Sequence, residues 1–148
     1  MNERSATAVE RFLLGYNCAQ SVLYSFCDDL AFDKELALKL ATGLGAGIAG
    51  RQETCGAVTG GILVIGLKQG QGEDDDKAVA YAAYAKVREL IRRFEAKHGS
   101  SLCRQLLNGC DFNTPEGRRQ FDENDLLNTI CKTCVETVVE ELEAILAD

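Results

Sequence analysis

The sequence lacks most of what would tie a chain to a membrane, a nucleic acid or a secreted framework. Its longest weakly polar run, Cys55 to Leu67, falls short of the roughly 18 residues that a spanning helix requires. The opening Met-Asn-Glu-Arg-Ser has no apolar stretch ahead of a cleavage site, so no secretory signal is expected. Basic residues are outnumbered, 16 against 23 acidic, for a formal charge of -7. They are also scattered, whereas phosphates and anionic lipids are bound by clustered Lys and Arg. No nucleic-acid partner and no membrane insertion are expected, and a soluble, cytoplasmic protein is.

Sustained alternation of apolar and polar residues is missing too, as are low-complexity segments and internal repeats. What remains is helical periodicity with helix-start and helix-stop signals. Ser5 to Leu30 carries Val9, Phe12, Tyr16, Ala19, Leu23, Phe26 and Leu30 at helical spacing. Asp33 caps a helix through about Leu44, with Leu36 and Leu40 facing the core. An apolar helix runs from Thr54 to about Gln69 and ends at Gly70-Gln71-Gly72. Asp74-Asp75-Asp76 opens the next, where the helix dipole favours acids. It runs to His98, with Tyr84, Val87, Ile91 and Phe94 on one face and Gly99 as the stop. Ser100 caps a short helix through Leu107, Thr114-Pro115-Glu116 starts another with the chain's one proline, and a last helix covers about Asn124 to Leu146. The expectation is an all-α single domain over residues 1–148, a bundle of about five to seven helices. A core of this size can bury about 70% of the surface that the unfolded chain exposes, so no metal or disulfide is needed merely to fold it.

Against that background, seven cysteines (18, 27, 55, 103, 110, 131 and 134) are many. The odd count argues against a framework of disulfides and leaves metal ligation, redox chemistry and apolar packing. Each helical residue turns about 100°, so on one helix Cys18 and Cys27 point in roughly opposite directions and cannot share a site. Cys27 falls on the core stripe and reads as a small buried hydrophobe. Cys18 lies on a flank. Cys55, after Thr54 as a cap, and Cys103, three residues after Ser100, both stand in first helical turns. Unpaired amides and the helix dipole there lower a thiol's pKa and favour the thiolate, which attacks and binds metal. Cys131-Lys132-Thr133-Cys134 is a CxxC with no strand before it, unlike a thioredoxin pair. Both of its thiols lie on the apolar face and can be core or can share a site. Cys110 follows a turn and is a neighbouring ligand or a bystander.

Two motifs are decoys. Gly45-Ala46-Gly47-Ile48-Ala49-Gly50 matches G-x-G-x-x-G but follows a helix outside any βαβ unit; its glycines allow a sharp turn or a close approach. His98, the single histidine, sits in a last turn beside Lys97, where a cation offsets the dipole. Gly56 and Gly60 are four apart on one face, continued by Ala57 and Gly61. That smooth face admits either another backbone or a group that is not a side chain, so Gly56 and Gly60 are candidate cofactor-binding positions. It would equally permit a homodimer.

"GYNCAQSVL" (15–23), "CGAVTGGILVIGLKQG" (55–70), "HGSSLCRQLL" (98–107) and "ICKTCV" (130–135) together resemble the C_GCAxxG_C_C family, small proteins named for their cysteine pattern and described as redox-active. The resemblance covers nearly the whole chain and implies that the family cysteines are Cys18, Cys55, Cys103 and Cys131. Cys27, Cys110 and Cys134 are then extra. Lys132 departs from the family, whose members often have Pro after that cysteine. On this reading the four thiols bind an iron-sulfur cluster, of either [2Fe-2S] or [4Fe-4S] type, for electron transfer with an unidentified redox partner. One alternative is a thiol-disulfide or peroxide-linked oxidoreductase with Cys55 as nucleophile and Cys103 or Cys18 resolving. The other is a structural zinc site of four cysteines.

Overall fold

The computed structural model describes residues 1–147, all helix, turn and loop but for one isolated antiparallel bridge, Thr54 with Leu102. Among the described residues nine α-helices follow one another: α1 (Glu3–Leu13), α2 (Cys18–Ser25), α3 (Cys27–Leu30), α4 (Lys34–Ala41), α5 (Gly56–Gln69), α6 (Lys77–His98), α7 (Cys103–Leu106), α8 (Pro115–Glu123) and α9 (Lys132–Ile145). A 3₁₀ turn (Thr42–Leu44) ends α4, and a π-helical turn (Leu127–Cys131) leads into α9. The architecture is the expected all-α bundle. No helix among the described residues is long and apolar enough to cross a membrane.

The helix count exceeds about five to seven chiefly because Ser5 to Leu30 is three helices. Periodicity reads through the breaks, but Gly15 takes a left-handed φ of 106°, which glycine adopts without steric cost. Asn17 then restarts the chain with a capping box: its side chain accepts from the Gln20 amide, and Gln20 accepts from the Asn17 amide. Cys18 is therefore the first residue of α2 and not a mid-helix flank. The single-helix argument that separated Cys18 from Cys27 falls with it.

The cap at Asp33, the helix start at Thr114 and the left-handed stop at Gly99 are as expected, and the acidic run before α6 supplies its cap, Asp76; the N-cap of α7 is Leu102 and not Ser100. Two inward faces differ. On α4 the buried residues are Ala37 and Ala41, while Leu36 and Leu40 are 45% and 57% exposed. Small residues let this short helix lie close to α2, which turns the leucines outward. On α6, Phe94 and Leu90 are buried, but Tyr84 is outside with its ring edge-on to Tyr81.

α5 lies at the centre, against α2, α6 and α9. It is apolar all round, as a buried helix is. On its glycine side, a Cβ on Gly60 would come within 2.8–2.9 Å of the Ala19 backbone, so the backbone of α2 occupies the space left by the missing side chain. On the other side Gly61 accommodates Leu90 of α6 and Val138 and Leu142 of α9. The glycine face is thus inside the chain, and a second copy has no access to it.

Candidate redox site

The N-terminal end of α5 is approached by a loop of unusual backbone. Ala46, Gly47, Ile48, Ala49 and Gly50 have consecutive φ values of 53°, 70°, 70°, 51° and 80°. Left-handed conformation is uncommon outside glycine and costly for a β-branched residue such as Ile48. Surrounding bonds hold it: the Gln52 and Glu53 amides donate back to the Ala46 and Gly47 carbonyls (3.1 and 2.9 Å). Gln52, 2% exposed, donates from Nε2 to the Cys110 carbonyl (2.7 Å) and accepts from the Phe112 amide (3.3 Å). Asn113 donates to the Gly50 carbonyl (2.7 Å). A Cβ on Gly47 would sit 2.6 Å from the backbone of Gln52 and Glu53, so only glycine fits. The G-x-G-x-x-G stretch serves this turn, in a chain with no βαβ unit among the described residues.

The same loop joins two thiols. The Cys55 amide donates to the Ser101 carbonyl (2.8 Å) and the Cys103 amide to the Glu53 carbonyl (2.7 Å), on either side of the Thr54–Leu102 bridge. Cys55 is the N-cap of α5 itself, so Thr54 does not cap it. Cys103 opens the one-turn α7. Cys18 opens α2 next to the glycine face: a Cβ on Gly56 would meet the Cys18 Cβ at 3.3 Å and the Leu44 carbonyl at 3.1 Å. Cys131 closes the π turn and Cys134 lies one turn on. Leu127, Ile130, Cys131 and Cys134 thereby present one face. π turns inside helices occur mostly at functional sites.

These elements enclose a cavity of about 250 Å³ lined by Cys18, Cys55, Cys103, Cys131 and Cys134, by Gly47 and Gly56, and by apolar and aromatic side chains including Phe12, Leu107, Phe112 and Phe121. The four thiols assigned by resemblance are brought together from four separate segments. Gly56 is in the lining, whereas Gly60 is a turn deeper, against Ala19. Among the described residues no three Cys, His, Asp or Glu side chains converge on a point where one metal ion could be held. The thiols surround a space.

Two cysteines lie outside the cavity. Cys27 is buried in the core and donates to the Leu23 carbonyl (3.4 Å); Cys110 donates to the Gly117 carbonyl (3.0 Å). His98 is also elsewhere, packed on Phe94 with Nε2 2.9 Å from Thr137 Oγ1. Burial, then the neighbouring Lys97, lowers its pKa, which works against the cation expected at the helix end, and the ring has a packing role. Cys134, which the resemblance sets apart from the site, lines the cavity with the four family thiols. A spacing of three from Cys131 was the available signal for that shared face. Gln52 and Arg118, the one cation in the lining, carry no sequence signal of their own.

The five thiols are electrostatically unequal. Cys55 is lowered below the ordinary thiol value, first by the neighbouring Cys134 thiol, against burial, which raises it, and then by the Ala57 and Val58 amides at the start of α5. Burial pushes Cys103 and Cys131 up to about 12, with the Cys55 charge adding to each. Cys18 is raised by burial and then by Cys55, Cys131 and Cys103. Cys134 is raised as well. Cys55 is thus the one thiol of the five whose surroundings lower its pKa, and the other four are raised.

Comparison with curated proteins and with solved structures finds no significant match. A family model with the description "Putative redox-active protein (C_GCAxxG_C_C)" matches residues 16–145. The chain belongs to the C_GCAxxG_C_C family of redox-active proteins.

Proposed function

We propose that Cys18, Cys55, Cys103 and Cys131 hold an iron-sulfur cluster, through which the protein passes single electrons to and from a separate redox partner. The observation that carries this reading is that all four thiols line one mostly apolar cavity of about 250 Å³. Four cysteines are the usual ligand set for either common cluster type. A mononuclear zinc site would bring its sulfurs to within about 2.3 Å of one point, and no such convergence exists among the described residues. The buried Gly47 amide in the cavity lining has no acceptor among the described residues. An unpaired buried amide favours a group with acceptor atoms beside it.

When bound, a cluster supplies a one-electron couple. The chain's own residues do the rest. Burial of Cys55 and Cys103, with Cys18 and Cys131 half-buried, limits water at the sulfurs, and the bonds of Gln52 and the Thr54–Leu102 bridge fix where Cys55 and Cys103 stand. Amides at the start of α5 favour negative charge on Cys55 Sγ, and Arg118 adds a positive charge at the lining. Such donors and charges near ligating sulfurs tune a reduction potential. All seven cysteines are free, which suits a reducing, cytoplasmic compartment.

The test is to purify the protein without oxygen, measure iron, acid-labile sulfide and zinc per chain, and record the visible spectrum. Iron with matching sulfide supports the reading, and EPR of the reduced protein then separates the cluster types. Protein that stays colourless and iron-free after anaerobic reconstitution overturns it, and stoichiometric zinc would put the structural site in its place.

A further inference from the structure

The longest helix, α6, packs on the bundle by one side. Its Ala83, Leu90 and Phe94 are buried, against α5 and α9. At about 100° per residue, Tyr81 and Ala85 point away from that side, and the outer face of the N-terminal half is apolar. Ala78, Tyr81, Ala82, Tyr84 and Ala85 are all exposed there, the two tyrosines by 60% and 56% and with their rings edge-on to each other. Apolar side chains scattered over a surface need no explanation, whereas a contiguous patch of them marks an interaction site.

Charges of opposite sign stand at the two ends of this patch. Glu73, Asp74, Asp75 and Asp76 precede it and Arg88 and Arg92 follow it, all exposed. Turned end for end, the stretch matches itself. With Tyr81 of one copy opposite Ala85 of another, the antiparallel register also sets Tyr84 opposite Ala82, Lys77 opposite Glu89 and Asp74 opposite Arg92. In these pairs each large ring faces a small residue and each acid faces a base, and a two-fold axis makes every pair twice. The two helix dipoles run in opposite directions as well, which brings unlike ends together. An unrelated partner would have to carry the same pattern reversed. A second copy carries it by symmetry.

We infer that this face of α6 is the interface of a homodimer, packed antiparallel on the same face of a second copy at the level of Ala83. It is a different surface from the glycine face of α5, which α2 already covers. No residue of α6 lines the thiol cavity, so the dimer does not rest on the cluster reading. The helical part of the match, 77 to 89, is about 18 Å long at about 1.5 Å per residue. One helix pair of that length falls at the small end of specific interfaces, so the association is reversible.

The test is sedimentation equilibrium of the full-length protein from about 1 to about 200 μM. Salt is held at about 0.15 M, where a Debye length of about 8 Å screens the general repulsion between two chains of charge -7 but not pairs in contact. The expected result is a monomer–dimer equilibrium with its midpoint inside that range. Tyr81→Asp should be monomeric throughout. Asp74→Arg and Arg92→Asp each set like charges against each other at two points of the dimer, and each alone should weaken it severalfold. Mixed in equal amounts, the two should pair with near wild-type affinity, because every reversed residue then meets one of opposite sign. Circular dichroism checks that each variant is folded, as substitution at exposed positions allows. Wild type that stays monomeric to the highest concentration overturns the inference. A dimer that survives Tyr81→Asp, or a mixture no tighter than the two variants alone, overturns it too by placing the contact elsewhere.

Discussion

Beyond Gly60, α5 is packed by side chains: Val64, Ile65, Leu90, Val138 and Leu142 are fully buried there and fill the space between helices. At its N-terminal end the same helix is held by backbone and amide bonds, through Gln52, Asn113, Ser101 and the Thr54–Leu102 bridge, and side chains leave a space of about 250 Å³. A well-packed interior is close to crystal density, so an unfilled region of that size beside a filled one marks where packing has been withheld. Hydrogen bonds take over there because they can fix the backbone without occupying the interior. Stability and chemistry are therefore assigned to opposite ends of one helix.

The largest effect that would sharpen this contrast comes from exchanging one sulfur at each end. Cys55→Ser should abolish iron binding and the visible spectrum, because it removes one of the four proposed cluster ligands, at the N-terminal end of α5, while leaving the urea midpoint near wild type. Cys27→Ser should do the opposite, leaving metal content intact and lowering stability by about 1–3 kcal/mol for a buried thiol replaced by a hydroxyl. Equal iron content in the two variants would break the division.

Next in size is a test on side-chain packing alone. Leu90→Ala, at a fully buried site against Gly61, should lower the unfolding free energy by about 2–5 kcal/mol, read from urea denaturation. The variant that still folds should bind iron as wild type does. The counterpart is Gln52→Ala, which leaves the buried Cys110 carbonyl and Phe112 amide unpaired at a cost of about 1–3 kcal/mol. Its effect should fall locally. Hydrogen exchange should speed at residues 45–55 and 101–112 with little change in α6 and α9, and iron affinity should drop. Uniform acceleration over the whole bundle would show that the two ends are one cooperative unit.

The packed end was the more readable one in sequence. Helical spacing, the cap at Asp33, the acidic run before α6, the helix start at Thr114 and the glycine stop after His98 are local signals, and each appears where it was expected. Faces were less secure: on α4 a shift of one position separates Leu36 and Leu40 from the true inward pair, Ala37 and Ala41, because close helix approach can favour the smaller residues. The break at Gly15 was hidden by periodicity that continues through it, although Asn17 and Gln20 had the spacing of a capping box. At the unpacked end, position along the chain says little. Five consecutive left-handed residues, the reach of Gln52 to Cys110 and the gathering of Cys134 with Cys55 in one cavity lining all depend on pairings across tens of residues. Periodicity identifies a helix face but not what lies opposite it.

The smallest expected effect concerns His98, which is outside the cavity lining and packs on Phe94 and Thr137, so that it should report on stability without touching the site. Its ring is stacked on Phe94 and bonded to Thr137, and burial, helped by Lys97, places its folded pKa below the ordinary histidine value. The unfolded chain, with a histidine near its usual pKa of about 6.5, then binds the proton more readily than the folded one. Stability from this group is fully present above that pH and is lost as pH falls through the folded pKa. Urea midpoints measured at intervals between about pH 7.5 and 5.5 should therefore decline toward acid in the wild type and decline less in His98→Gln, whose amide can still reach Thr137. Iron content should be the same in both proteins across the range. If the variant follows the wild-type slope, other groups carry the acid sensitivity; if its iron content falls in parallel with its stability, the packing of His98 on Phe94 and Thr137 supports the site as well as the fold.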